Sequence, residues 1–88
     1  MKSYKTNVMD FDDKTLVQHH QTIIIEHDYT SGTITLNNGG WFSKTTKDRL
    51  NSYLRPFKYN VFQKNFEWFV MTPSLQVIPY QNHMTLEV

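Results

Sequence analysis

The chain has 88 residues, of which 39% are hydrophobic, 15% aromatic and 19% charged, with a formal net charge of +1 and no cysteine. A chain this short folds as one domain, buries too little surface for a deep enclosed active site, and is too apolar to be a disordered segment. The missing cysteines exclude disulfides and thiolate metal sites. No apolar run approaches the ~20 residues of a membrane-spanning helix, and the start lacks a signal peptide's apolar core, so the expected setting is the cytoplasm and not a membrane.

Residues 1–20 show no firm periodicity and are expected as an N-terminal arm or a short helical turn at Asp12-Asp13-Lys14-Thr15-Leu16-Val17, with 21–88 forming the domain. From Gln21 the residues become β-branched. Thr22-Ile23-Ile24-Ile25 reads as a strand, Asp28-Tyr29-Thr30-Ser31-Gly32 as a turn and Thr33-Ile34-Thr35-Leu36 as the returning strand. Alternation sets Ile34 and Leu36 on one face with Ile23 and Ile25, and leaves Ile24 on the other.

Asn37-Asn38-Gly39-Gly40 then breaks the pattern, because both residue types tolerate the positive φ of a sharp turn. Trp41 and Phe42 anchor that turn. Ser43 or Thr45 can cap a helix whose first turn holds Asp48 at the positive end of the dipole. Thr46, Leu50, Tyr53, Leu54 and Phe57 recur at three- and four-residue steps as a buried stripe, with Lys44, Asp48, Asn51 and Arg55 on the opposite face. Pro56 should end the helix by forcing Arg55 out of the helical region.

Beyond it, Tyr59-Asn60-Val61-Phe62-Gln63 and Phe66-Glu67-Trp68-Phe69-Val70-Met71 flank Lys64-Asn65, and a two-residue loop there sets Val61 opposite Trp68 and Tyr59 opposite Val70. Tyr59, Val61, Phe66, Trp68 and Val70 then form the core face. Asn60, Phe62, Glu67, Phe69 and Met71 form the other. Val77-Ile78 is a short edge strand and Met84-Thr85-Leu86-Glu87-Val88 a final one. The fold class is α+β: a ββαββ-like antiparallel sheet with one helix packed on one face and a C-terminal β segment, its core built around Trp68, Val61, Leu50 and Leu54.

The run Leu36-Asn37-x-Gly39-Gly40-Trp41-x-Ser43-x-Thr45-Thr46-Lys47-x-Arg49-Leu50-Asn51, with Val61-x-Gln63-Lys64-x-Phe66-x-Trp68-Phe69-Val70, resembles a group of short proteins encoded by tailed bacteriophages. The resemblance covers roughly the central half of the chain, without the stretch before Gln21 or the tail after Pro73. It implies a phage setting and a shared small scaffold.

No catalytic or cofactor motif emerges. His19 and His20 are adjacent, which points their rings to opposite faces of a strand, and His27 and His83 have no companion at ligand spacing. Asp10-x-Asp12-Asp13 lacks a calcium loop's glycine at position six and carries Gln21 at position twelve. Gly39-Gly40 is not a phosphate loop, and no serine nucleophile elbow is present. Asp12, Asp13 and Glu26 supply the residue types of a magnesium nuclease without a spacing motif. The expectation is a protein that is not an enzyme and carries no cofactor or metal.

Charge is unevenly placed. Residues 1–28 carry Lys2, Lys5 and Lys14 against Asp10, Asp12, Asp13, Glu26 and Asp28, a balance of −2, whereas residues 41–65 carry six cations against Asp48, a balance of +5. Lys44, Lys47, Arg49, Arg55, Lys58 and Lys64, interleaved with Trp41, Phe62 and Phe69, have the chemistry to hold phosphates and stack on bases. These nine residues are the candidate site. The expected ligand is nucleic acid; the alternative is a host protein that a phage protein blocks or redirects. A solvated helix face and ordinary core aromatics account for the same residues without any ligand.

Overall fold

The computed structural model describes residues 6–40 and 42–88. Its first element corrects an expectation. The segment read as an arm or helical turn is a hairpin, β1 (Thr6–Asp10) and β2 (Lys14–His19), joined by Phe11, Asp12 and Asp13, with the Phe11 N–H donating to the Lys14 carbonyl at 2.8 Å. Thr15, Val17 and His19 alternate inward along β2, so the period-2 signal was present but carried by a threonine and a histidine.

Antiparallel pairing continues through β3 (Thr22–Asp28), β4 (Thr33–Leu36) and the C-terminal β8 (Thr85–Glu87), giving a five-stranded sheet in the order β1-β2-β3-β4-β8. Within it, the register slips between Val17, opposite Ile25, and Gln18, opposite Ile23. The extra residue is Ile24. A bulge of this kind breaks alternation locally, which is why Ile24 and Ile25 are both buried and Ile23 is turned out, against the expected pairing of Ile23 with Ile25.

Helix α1 (Lys44–Leu54) starts at Ser43, whose hydroxyl accepts the Thr46 N–H at 3.2 Å; Thr45 lies inside the helix. Asp48 falls beyond the first turn and pairs with Lys44 instead. Thr46, Leu50 and Leu54 are buried as the stripe predicted, and Tyr53 and Phe57 pack half-buried beside the core. Arg55 keeps helical angles (φ −55°, ψ −45°), and Pro56 sits at the start of a 3-10 turn, Arg55–Phe57. Proline suits that place because its missing N–H is not needed in a first turn. The chain leaves the turn at Lys58, which is left-handed at φ 68°.

The second hairpin, β5 (Asn60–Lys64) and β6 (Glu67–Met71), is joined by β7 (Val77–Pro79) in a separate three-stranded sheet, so the two hairpins do not form one sheet. The turn is Asn65-Phe66, both left-handed (φ 54° and 66°), and Val61 pairs with Val70 and Gln63 with Trp68. Two consecutive positive φ angles are the geometry whose twist matches a hairpin. The partner of each strand residue thus moves by two positions from the one expected, and the residues that remain in the two strands keep their faces. Val61, Trp68 and Val70 are buried, but Phe66 leaves the core face for the turn, where its ring is 95% exposed. Val17, Ile24, Ile25, Ile34, Leu36 and Leu86 of the larger sheet meet Leu50, Leu54, Val61, Trp68 and Val70 in one core.

Candidate binding surface

The outward stripe of α1 does not stay free along its length. Asn51, expected on the solvated face, donates from Nδ2 to the Val61 carbonyl at 2.9 Å and accepts the Val61 N–H on Oδ1 at 2.7 Å. This double bond fixes the helix against the edge of β5. Beside it, Asp48, Asn51, Arg55, Lys58, Tyr59 and Asn60 line a polar cleft of about 390 Å³. Arg55 reaches the cleft because the helix runs directly into the 3-10 turn, and Lys58 because its left-handed backbone ends that turn. The Tyr59 hydroxyl donates to the Glu87 carbonyl at 2.6 Å, and its pKa is raised, first by burial and then by the Glu87 carboxylate.

The cleft leads onto a sheet face. Asn60, Phe62 and Lys64 alternate outward along β5, since Val61 between them is buried. Phe62 stands opposite Phe69, their rings stacked with centroids 5.7 Å apart and planes 29° apart. Both are half-buried, and Lys64 at the end of the row stands opposite Glu67. At a strand rise of ~3.3 Å per residue, Asn60 to Lys64 spans roughly 13 Å. Asn60 thus belongs both to the cleft of Arg55 and Lys58 and to the outward row that continues to Phe62 and Lys64.

The remaining candidates lie elsewhere. Lys44 is bound to Asp48 at 3.0 Å, an exposed pair that leaves little net charge at the start of the helix. Lys47 and Arg49 sit half-buried on the flanks of α1. Arg49 is close enough to His19 to contribute to that residue's electrostatics, which sets it apart from the β5 surface. Trp41 lies outside the described residues.

A second cleft, of about 860 Å³, is lined by His19, His20, Gln21, Thr22, Ser43, Thr45 and Thr46. The two histidine rings are not on opposite faces. His20 turns left-handed (φ 56°) at the end of β2, and the rings meet edge to face at 4.3 Å. Burial, then the neighbouring charges of His20 and Arg49, holds the His19 pKa below its ordinary value. Among the described residues, no group of three His, Asp or Glu side chains is placed to hold a metal ion. None of the helices there is long and apolar enough to cross a membrane.

Sequence reasoning missed Asn60, Asn51 and the exposed Phe66. A signal for the last existed in Asn65, whose tolerance of left-handed backbone favours placing the turn one residue later.

The fold and its surface thus define a small α+β protein whose candidate site is an open face and not an enclosed cavity. The chain belongs to the Kyanoviridae Gp96 protein family, a bacteriophage family whose model matches residues 1–87. That span takes in the N-terminal stretch and the tail that lie beyond the central motifs. Comparison with curated proteins and with solved structures yields no match.

Proposed function

We propose that the protein is a non-enzymatic phage factor, acting inside the host cell, that binds single-stranded nucleic acid across the outer face of β5 and β6. The observation that carries this reading is the stacked Phe62–Phe69 pair, bordered by Lys64 at one end and by the cleft of Arg55 and Lys58 at the other. Flat rings beside cations suit bases that are free to stack while their phosphates are neutralised. A duplex offers no such bases, so single strands are the expected ligand.

The test is a titration of labelled single- and double-stranded DNA and RNA at low and near-physiological salt. Wild type should prefer single strands, with log K falling by about two units per decade of salt if Arg55, Lys58 and Lys64 each neutralise one phosphate. Phe62→Leu/Phe69→Leu, which keeps the face apolar but removes the rings, should weaken binding roughly tenfold, in line with ~1–3 kcal/mol per stacked base. Arg55→Glu/Lys58→Glu should weaken it further and flatten the salt slope. No binding at low salt, or equal binding by the charge-reversed variant, excludes the nucleic-acid reading.

A host-protein ligand is the second reading, and Phe66 favours it. A phenylalanine held at φ 66° and 95% exposed occupies a strained position that glycine would fill more easily, at a cost of order 1–3 kcal/mol. Such a ring is placed to reach a partner. Phe66→Gly should relax the turn, and if a protein is the ligand it should abolish capture of that partner from host lysate, with nuclease treatment making no difference.

A further inference from the structure

The two sheets have four edges, and three of them are guarded. On β5, the outward N–H and carbonyl of Val61 are both taken by Asn51. On β8, the outward carbonyl of Glu87 accepts the Tyr59 hydroxyl. On β7, the outward positions are Val77 and Pro79, because the neighbouring pairs Thr72–Gln76 and Tyr80–Trp68 bond toward β6, and proline has no N–H to offer. Open edges template pairing with other chains, so natural sheets cover or interrupt them.

β1 carries no such device among the described residues. It is the outermost strand of the larger sheet and pairs only with β2. Phe11 bonds inward to Lys14, and bonding direction alternates along an antiparallel pair, so Met9 and Asn7 also face β2 while Asp10, Val8 and Thr6 direct their N–H and carbonyl groups outward. Val8 at the middle of the strand is 60% exposed. Asp10 ends the strand, and Asp12 and Asp13 lie in the turn beyond it.

We propose that β1 pairs antiparallel with β1 of a second copy of this chain, about a two-fold axis at Val8, joining two five-stranded sheets into one. Val8 then faces Val8 of the other copy, and Thr6 and Asp10 face Asp10 and Thr6. Each of these pairs exchanges two backbone hydrogen bonds through groups that already point outward, and the exposed valines bury each other. The antiparallel sense keeps the acidic ends of the two strands, Asp10 with Asp12 and Asp13 beyond it, on opposite sides of the axis, whereas a parallel pairing would set these like charges side by side. A two-fold contact of this kind uses one patch twice and closes on itself. With one strand on each side the interface is small, so the dimer is weak and depends on protein concentration.

Sedimentation equilibrium of the full chain, up to about 1 mM to reach the weak end of the affinity range, tests this. Wild type should shift from monomer to dimer as concentration rises. Val8→Asp, at an exposed position where folding is not at stake, should remain monomeric, while Leu75→Asp, at an exposed position far along the chain, should dimerise as wild type does. The cysteine-free sequence allows a second measurement. Val8→Cys should form a disulfide-linked dimer on mild oxidation, because facing residues in such a pair have Cα atoms ~5.5 Å apart, within disulfide reach. Asn7→Cys, set off from its own copy by two positions, should not. A wild type that stays monomeric throughout, a dimer unaffected by Val8→Asp, or equal cross-linking by the two cysteine variants overturns the proposal. Val8→Asp blocking capture of a different protein by a monomeric wild type would likewise replace the second copy with a foreign strand.

Discussion

Gly39 and Gly40 both have positive φ, at 62° and 85°, as the turn between strand and helix requires. They are not equivalent. The amides of Gly39 and Gly40 bond to the side-chain oxygens of Asn37 and Asn38, at 3.0 and 2.8 Å, so each asparagine folds the chain over itself. A Cβ on Gly39 would lie 2.8 Å from Thr22 Oγ1, whereas one on Gly40 would meet nothing within 4 Å. Gly40→Ala should therefore cost about 1 kcal/mol, the penalty of the left-handed backbone alone, and Gly39→Ala distinctly more, because Thr22 must also move. Chemical denaturation of the two variants measures the difference. Equal losses would mean that Thr22 yields freely.

At the level of elements, Asn51 decides how the helix meets the smaller sheet. Both its amide groups are spent on Val61, a residue 1% exposed, and this occupies the otherwise open edge of β5. Asn51→Ala leaves a buried N–H and a buried carbonyl without partners, at about 1–3 kcal/mol for each group left unsatisfied. In a domain of this size, each kilocalorie lowers Tm by about 4–8 °C. The expected result is a clearly lower melting temperature together with increased light scattering, because the same change uncovers a strand edge. A variant that melts like wild type would show that water replaces the amide without loss.

Across the whole molecule, the buried titratable groups favour neutral pH. Burial, followed by the charges of His20 and Arg49, lowers the His19 pKa below 6.5, so its contribution to stability is full above pH 6.5 and is lost as the pH falls through the lowered value. Burial pushes the Tyr80 pKa up to about 12 from 10, so its contribution is full below pH 10 and is lost as the pH rises toward 12. Thermal melts across pH should trace a plateau between these limits. His19→Gln should flatten the acid limb and Tyr80→Phe the alkaline one, whatever each substitution does at neutral pH. An acid limb as steep in His19→Gln as in wild type would assign it to the carboxylates instead.

Much of this arrangement is legible in the amino-acid sequence. A run of β-branched residues marked β3 and β4, period-2 alternation marked β5, β6 and β8, a three- and four-residue stripe marked α1, and the Asn-Asn-Gly-Gly run marked its turn, because each signal depends only on neighbours along the chain. The candidate cations and the Phe62–Phe69 pair were also legible as residue types. The tertiary structure alone decided which of them meet: Arg55 and Lys58 share a cleft with Asn60, whereas Lys44 is held by Asp48 and Arg49 lies toward His19. It also placed Ile24 inside through a bulge, moved Phe66 to an exposed turn, and used Asn51 to close the β5 edge. These outcomes turn on one inserted residue, one turn position and one contact between elements ten residues apart. Alternation cannot register them, because their energy comes from partners that are distant in sequence and meet only when the chain has folded.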